Sequence, residues 1–355
     1  MDSVSMKFMR LLLIAVLALC MATVVAACGD DDEESAGGGN EPAATEEAEP
    51  IKVGMVTDIG GLDDRSFNQS AYEGLKRAES ELGAEIRAIT SKSNADYVPN
   101  LTTLARQQFD LVIAVGFLMG EATEKVANAF PNVNFAIIDF PQAATKSKPK
   151  NLSGLLFKEA EAGYLVGYMA GLYVKDQGGD QVISAVGGQQ VPAVDAYIAG
   201  YQAGAKAANP DIKTLFGYSQ DFVDQAKCKE LGLEHIGQGA QVVFAVAGGC
   251  GLGALDAAKE EGMQGIGVDA DQGYLGDHIM TSALKKVDEA AFTAAQEVQE
   301  GTFKAGTDKV FDVKTGGVGY GETNTEGAKY TDQVDEVLAQ IESGEIGDIP
   351  TTPEK

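Results

Sequence analysis

The chain has 355 residues and a formal net charge of −26 at pH 7, of which about −18 belongs to residues 51–355. Such a chain would be repelled by a polyanion and has no basic patch that could release phosphate counterions, so the composition argues against nucleic acid as a partner and against a multiply charged anionic ligand. Residues 51–355 are too many for one compact lobe and predict two.

The first segment, residues 1–27, has the form of a bacterial signal peptide. Lys7 and Arg10 make a basic flank, residues 11–25 are apolar but short for a membrane span, and small residues precede Cys28. A lipoprotein signal needs a thiol as the first mature residue, so we predict lipidation of Cys28. The protein is then expected on the extracytoplasmic face of the cell membrane, anchored by lipid. An unprocessed membrane helix is the alternative.

The next segment, residues 28–50, contains nine acidic residues, no basic residue and a run of three glycines. This composition cannot bury enough apolar surface to order itself. We predict a disordered acidic tether, extended by its own repulsion, that holds the following residues away from an anionic membrane surface.

From residue 51 onward, short β-branched runs alternate with helical patterns. The predicted strands are residues 51–57, 85–90, 109–116, 134–139, 151–157, 181–186, 212–218, 241–247, 264–268 and 279–283, with an extended segment at 310–320. The predicted helices are residues 66–82, 97–108, 120–130, 159–175, 193–208, 224–236, 253–261, 287–299 and 330–341. This order predicts an α/β protein of two lobes, each an all-parallel sheet between helical layers.

The division into lobes follows from where this pattern restarts. Lobe 1 is predicted to contain residues 51–157 and about 279–320, and lobe 2 to contain about 158–278 and 321–355. Several hinge crossovers between the lobes are expected in the last part of the chain.

Functional residues are expected beyond the carboxyl ends of the strands, where parallel sheets bind their ligands. The residues there are mostly carboxylates and aromatic rings: Asp58, Asp63, Asp64, Phe67, Asn68, Asp139, Phe222, Asp224, Asp269, Asp271 and Lys285. A carboxylate can accept from both hydroxyls of a diol, and a phenyl ring can stack on a flat heterocycle. A sugar-bearing aromatic base would use both. The structural alternatives are helix caps for the aspartates, a core position for Phe67 and a solvated charge for Lys285.

The sequence motifs that would indicate an active site, a metal site or a cofactor site are weak. We therefore predict no catalytic residues, no metal and no cofactor. His235 and His278 have no nearby cysteine, serine motif or carboxylate at ligand spacing. The glycine-rich run at residues 248–253 lacks the lysine of a phosphate loop and the spacing of a dinucleotide fingerprint. We interpret it as a tight strand-to-helix turn whose backbone N–H groups approach an uncharged polar ligand.

Two cysteines, Cys228 and Cys250, remain after Cys20 is removed with the signal and Cys28 is lipidated. In an oxidising compartment they can pair, and the closed loop would stabilise the fold by about 3 kcal/mol on a chain-entropy model. Two separate buried thiols are the alternative, because sequence alone does not show that the side chains converge.

Several segments carry a resemblance to a known family: residues 53–61 with 64–69, 161–167, 247–249, 267–272 and 281–288. Together they resemble the basic membrane protein family of bacterial lipoproteins, the purine-nucleoside-binding receptors of ABC importers. The resemblance covers essentially all of residues 51–350. It implies a type I periplasmic-binding fold, a purine nucleoside in the cleft between the lobes, an ABC permease as partner and no enzymatic activity.

The resemblance also implies a role for each matching residue. A base would lie between two aromatic rings, one from each lobe, supplied by Phe67 and Phe222. The first-lobe contacts, expected at the base, would come from Asp58, Asp64, Asn68 and Asp139. The ribose hydroxyls would be held by the Gly249 backbone, Asp269 and Lys285.

The sequence departs from the family at three positions. Cys228 and Cys250 stand where a glycine and a small residue are usual, so a bond between them would pin the Phe222 loop to the glycine turn. Asp63 stands where asparagine is common, and its added charge leaves the preferred base open. A sugar-binding or signalling receptor of the same fold and a nucleoside hydrolase or phosphorylase are the alternative functions.

Overall fold

Two six-stranded sheets with helices on their faces make up residues 50–355, the part of the chain that the computed structural model describes. The predicted signal peptide, the lipid attachment at Cys28 and the tether up to residue 49 lie outside the described residues. The strands are β1 (Lys52–Ile59), β2 (Glu85–Ser91), β3 (Leu111–Val115), β4 (Asn134–Ile138), β5 (Leu152–Phe157), β6 (Val182–Gly187), β7 (Lys213–Tyr218), β8 (Ala240–Val246), β9 (Gln264–Asp269), β10 (Ile279–Lys285), β11 (Asp308–Phe311) and β12 (Val318–Tyr320). The α-helices are α1 (Phe67–Leu82), α2 (Tyr97–Arg106), α3 (Gly120–Ala129), α4 (Glu159–Gln177), α5 (Pro192–Ala208), α6 (Gln225–Gly237), α7 (Gly248–Glu260), α8 (Val287–Gln299) and α9 (Thr331–Ser343).

The two sheets share one strand order. The first sheet runs β2, β1, β3, β4, β5, β11, and the second runs β7, β6, β8, β9, β10, β12. All neighbours pair in parallel except β10 and β12. The prediction of an α/β fold with two sheets is confirmed, but an all-parallel second sheet is wrong at this edge. The chain enters the second sheet again at Val318, which pairs with Lys285 at the carboxyl end of β10. Strand β12 therefore runs antiparallel to β10.

We call the first sheet with α1, α2, α3 and α8 the first lobe, and the second sheet with α4, α5, α6, α7 and α9 the second lobe. Every residue of β3 and of β6 is buried, as is typical of parallel strands covered by helices on both faces. Among residues 50–355 no helix combines the length and the apolar character that crossing a bilayer requires.

The path of the chain after residue 278 differs from the predicted lobe 1 segment at 279–320. β10 pairs with β9 in the second sheet, α8 packs on α1, β11 pairs with β5, and β12 returns to the second sheet. The extended segment predicted at 310–320 is therefore two strands in different sheets. A short apolar run has the same sequence pattern in either sheet, so the pattern alone does not determine which sheet contains β10.

Helices α4 and α5 of the second lobe pack unusually closely through glycines. A Cβ added at Gly167 would lie 2.1 Å from the carbonyl oxygen of Tyr201, and one added at Gly204 would lie 2.0 Å from that of Tyr164. These separations are far below van der Waals contact, so the helices can approach this closely only without side chains at these positions.

Replacing Gly204 with alanine is expected to lower the free energy of unfolding by roughly 1–3 kcal/mol, because the new methyl group must push two packed helices apart. Urea denaturation measures the change. Gly237→Ala at the end of α6 is the matched control, since a Cβ there meets nothing within 4 Å. Equal stability of the two variants would contradict the close packing of α4 on α5.

Candidate functional site

A cleft lies between the lobes, at the carboxyl ends of their strands. It is lined by residues at the ends of β1 and β3 in one lobe and of β8 and β9 in the other. In open parallel sheets, ligands bind where the strand order reverses, which here is between β1 and β3 and between β6 and β8. Eight of the nine predicted site residues line this cleft: Asp58, Asp64, Phe67, Asn68, Asp139, Phe222, Asp269 and Lys285.

The ninth predicted residue, Gly249, lies beside the cleft, and its neighbour Gly248 is the lining residue. A Cβ on Gly249 would lie 3.8 Å from the Cβ of Asp64 in the other lobe. The predicted helix start at residue 253 is wrong, because α7 already begins at Gly248. The glycine run thus forms the first turn of the helix, where backbone N–H groups lack helical partners.

Two phenylalanine rings face the cleft from opposite lobes. Phe67 is the first residue of α1, and Phe222 lies in the loop between β7 and α6. A Cβ at Gly188 would lie 2.3 Å from the Phe222 ring, so the absence of a side chain there gives the ring its place. Phe117, which the sequence did not single out, also lines the cleft and packs against Phe140 with ring centroids 5.3 Å apart.

Lys285 is a charged side chain with only 2% of its surface exposed, which rules out the solvated alternative. Its Nζ lies 2.7 Å from the Asp139 carboxylate, 2.8 Å from that of Glu159 and 5.1 Å from the centre of the Phe67 ring. Burial by itself would lower the pKa of Lys285, but the carboxylates of Asp139, Glu159 and Asp269 outweigh it and raise the pKa. The ammonium group therefore stays charged inside the cleft wall.

Glu159, the first residue of α4, is a member of this cluster that the sequence reasoning missed. Burial raises the pKa of its carboxyl to about 7, although the nearby Lys285 ammonium opposes the shift. An acidic residue in the first turn of a helix is common because it interacts favourably with the helix dipole. The sequence signal was therefore present but had an ordinary structural explanation.

Asp269 ends β9 in a left-handed backbone conformation, with φ of 63°. Ser66 Oγ, from the other lobe, donates a hydrogen bond of 2.5 Å to Asp269 Oδ2, and the Tyr197 hydroxyl lies 3.4 Å from Oδ1. Burial raises the pKa of Asp269 to about 6, against the opposing effects of Lys285 and Ser66. The carboxylate is therefore held between the lobes with acceptor capacity left on both oxygens.

Asp58, at the end of β1, presents one uncommitted oxygen. The Tyr97 hydroxyl and the Ile59 N–H, the latter at 2.7 Å, both donate to Oδ1, and within residues 50–355 nothing donates to Oδ2. A Cβ at Gly116 would lie 2.8 Å from Oδ2, so only glycine leaves that oxygen room. Burial raises the pKa of Asp58.

Asp64 and Asn68 differ in how their polar atoms are used. The Asp64 carboxylate accepts from the backbone N–H groups of Ser66, Asn68 and Gln69 at 3.0, 2.8 and 3.0 Å, so it caps α1 as the structural alternative foresaw. Asn68 is 2% exposed, and its Oδ1 accepts no hydrogen bond from any described residue. A buried polar atom in a cleft wall usually has a partner, and a bound ligand would supply one.

A disulfide bond between Cys228 and Cys250 joins α6 to the first turn of α7, and so resolves the pairing that the sequence left open. The Cys250 N–H donates to the carbonyl oxygen of Phe222 at 3.0 Å. The bond thus lies directly behind the Phe222 loop, where the sequence interpretation placed it.

Replacing both Cys228 and Cys250 with alanine is expected to lower the free energy of unfolding by about 3 kcal/mol, because the unfolded chain regains the freedom of the closed loop. Urea denaturation of the oxidised wild type and of the double variant provides the comparison. Identical transitions would show that the bond does not constrain the unfolded chain.

Comparisons with known proteins cover nearly all of the described residues. The sequence model of the family described as "Bmp: ABC transporter substrate-binding protein PnrA-like" matches residues 51–350. An uncharacterized lipoprotein of Pyrococcus furiosus is 35% identical over 316 residues, which are 83% of this chain and 78% of the relative. The ABC transporter nucleoside-binding protein BmpA of Lactococcus lactis is 32% identical over 327 residues, or 86% and 90% of the two chains. The crystal structure of a solute-binding protein of an ABC transporter system from Aeropyrum pernix K1 superposes with a TM-score of 0.77 at 30% identity, covering 86% of this chain and 94% of that one.

Proposed function

The chain belongs to the Bmp family of PnrA-like ABC transporter substrate-binding proteins, and on this premise we propose that it captures a purine nucleoside in the interlobe cleft. The type I periplasmic-binding fold expected from the sequence is confirmed by the solved solute-binding protein of the same architecture. The protein binds its ligand without breaking a bond and delivers it to a permease.

The observation that carries this proposal is the presence of Phe67 and Phe222 on opposite walls of one cleft. Stacking on an aromatic side chain contributes roughly 1–3 kcal/mol per base, so two rings supply much of the affinity for a flat heterocycle. The remaining lining includes four carboxylates, those of Asp58, Asp64, Asp139 and Asp269, which repel a phosphate group. These properties favour a nucleoside over a nucleotide.

The ribose hydroxyls are assigned to Asp269, Lys285 and the backbone at Gly249. Asp269 retains acceptor capacity, and the Lys285 ammonium has three N–H groups, two of which point to Asp139 and Glu159. The third is available to a hydroxyl oxygen. The ribose hydroxyls would therefore donate to the Asp269 carboxylate and accept from the Lys285 ammonium group.

The base is assigned to the first-lobe residues. Asp58 Oδ2 and Asn68 Oδ1 lack protein partners among the described residues and can accept from N–H groups of a purine. Asp139 contributes through its ion pair with Lys285, and Asp64 fixes the start of α1 and hence Phe67.

Lipid attachment at Cys28 and residence on the extracytoplasmic face of the membrane belong to the same proposal. They are supported by the signal pattern before Cys28 and by the name lipoprotein that the Pyrococcus furiosus relative carries. A tethered receptor of this kind remains close to the permease while its cleft samples the medium.

Isothermal titration calorimetry of protein freed of bound ligand by unfolding and refolding tests the function. We expect inosine, guanosine or adenosine to bind one per chain, and ribose and galactose to bind far more weakly. Chromatography after incubation with inosine should show no free hypoxanthine. Tight ribose binding without nucleoside binding would establish the sugar receptor instead, and release of hypoxanthine would establish an enzyme.

Acidification is expected to weaken nucleoside binding below about pH 6. Above the raised pKa of Asp269, about 6, the carboxylate is ionised and accepts the ribose hydroxyls. As the pH falls through this value a proton occupies one acceptor oxygen, so the dissociation constant rises by at most about tenfold per pH unit. Inosine titrations from about pH 8 to about pH 5 provide the measurement. Asp269→Asn should bind weakly and lose the change in affinity centred near pH 6, and a wild type that lacks this change would contradict the assignment.

A further inference from the structure

Two segments from opposite lobes meet at one place on the cleft wall. Ser66, which is 0% exposed, donates to Asp269 Oδ2 at 2.5 Å, and the Gln272 side-chain amide donates to the Arg65 carbonyl oxygen at 3.0 Å. Arg65 and Ser66 precede α1 of the first lobe. Asp269 is the last residue of β9 in the second lobe, and Gln272 lies three residues after it. Two hydrogen bonds therefore join the lobes within a few residues of each other.

Gln272 is held rigidly on its own lobe while it makes this contact. Its Oε1 accepts from the Val268 N–H at 3.0 Å, and its backbone N–H donates to Ser282 Oγ at 2.9 Å. A Cβ at Gly267 would lie 2.6 Å from Gln272 Oε1, so the glycine leaves space for the side chain. Because the amide is fixed at one end, its Nε2 reaches Arg65 only when the lobes are close together.

We propose that Ser66 and Gln272 form a latch that holds the lobes closed and positions Asp269, so that the ligand leaves only after both contacts break. They act as positioning residues, since the groups assigned to ligand contact are others. The proposal rests on the proposed function only in making Asp269 a ligand contact.

The latch links closure to occupancy through a single carboxylate. A ligand hydroxyl bound to Asp269 and the Ser66 hydroxyl bound to the same group both favour the closed state. Apparent affinity falls with the fraction of molecules in the binding-competent state, so a variant that opens more easily binds more weakly and releases faster. The effect should fall mainly on dissociation, because both contacts must break before the ligand can leave.

Stopped-flow displacement of a bound nucleoside from Ser66→Ala tests the latch. Hydrogen bonds to charged groups are among the stronger ones, so dissociation should accelerate roughly tenfold or more, while association changes less than about threefold. Ser70→Ala is the matched control. Ser70 is also buried and polar on α1, but its Oγ accepts from the Asp288 N–H within the first lobe.

Small-angle X-ray scattering of the ligand-free proteins gives a second readout that needs no ligand. Ser66→Ala and Gln272→Met should each show a larger radius of gyration than the wild type and Ser70→Ala. If nucleosides fail to bind the wild type, the proposed function falls, yet the scattering comparison still tests the latch. Scattering and dissociation in Ser66→Ala that match the Ser70→Ala control would overturn the latch while leaving nucleoside binding intact.

Discussion

Alanine at either Phe67 or Phe222 is expected to weaken nucleoside binding at least tenfold, because each substitution removes one of the two faces on which the base stacks. Both rings are only half-buried, so the folded state should survive the change. Calorimetry with inosine measures the loss, and urea denaturation checks the fold.

Phe130→Ala supplies the matched control for these variants. Phe130 follows α3, is half-buried like the other two rings, and does not line the cleft. The Phe130→Ala variant should bind nucleoside with the affinity of the wild type, even if the free energy of unfolding falls. Unchanged affinity in Phe67→Ala and Phe222→Ala would remove stacking from the account.

Replacing Lys285 with methionine is expected to lower the free energy of unfolding by about 3–5 kcal/mol, because it leaves the buried carboxylates of Asp139 and Glu159 without their counter-charge. Binding of nucleoside should be lost as well. Urea denaturation at neutral pH measures the stability, with Lys286→Met as control at the next position.

A second substitution separates charge from packing at this site. Adding Glu159→Gln to Lys285→Met removes one of the uncompensated charges, so part of the lost stability should return. A double variant no more stable than Lys285→Met alone would mean that the loss came from the altered shape of the side chain.

Several predictions from the sequence match the structure because they follow from local pattern. β-branched runs and helical spacing fixed most elements to within a few residues, and the residues after the strands cluster in space because parallel strands end at one edge. Asp58, Asp139 and Asp269 are brought together in this way although they lie far apart along the chain.

The residues that sequence reasoning missed act through long-range contacts. Ser66 meets Asp269, Glu159 meets Lys285, and Gln272 meets the Arg65 carbonyl, with more than one hundred residues between the partners in each case. No periodicity marks such pairs. The path of β10 into the second sheet was missed for the same reason, since strand pairing is a tertiary choice.

Asp64 shows how one residue can satisfy two interpretations. It lines the cleft, as expected of a ligand contact, yet both of its oxygens accept from the first turn of α1. The sequence could predict the position of this carboxylate, but not that both of its oxygens accept hydrogen bonds from backbone N–H groups. Its main contribution is therefore to hold Phe67 and Asn68 in place.

A crystal structure of the protein with a bound purine nucleoside tests the central claim most directly. The account predicts the base between the rings of Phe67 and Phe222, with the ribose hydroxyls on Asp269 and Lys285 and the lobes closed around them. A nucleoside bound elsewhere, or a base that touches neither ring, would contradict it.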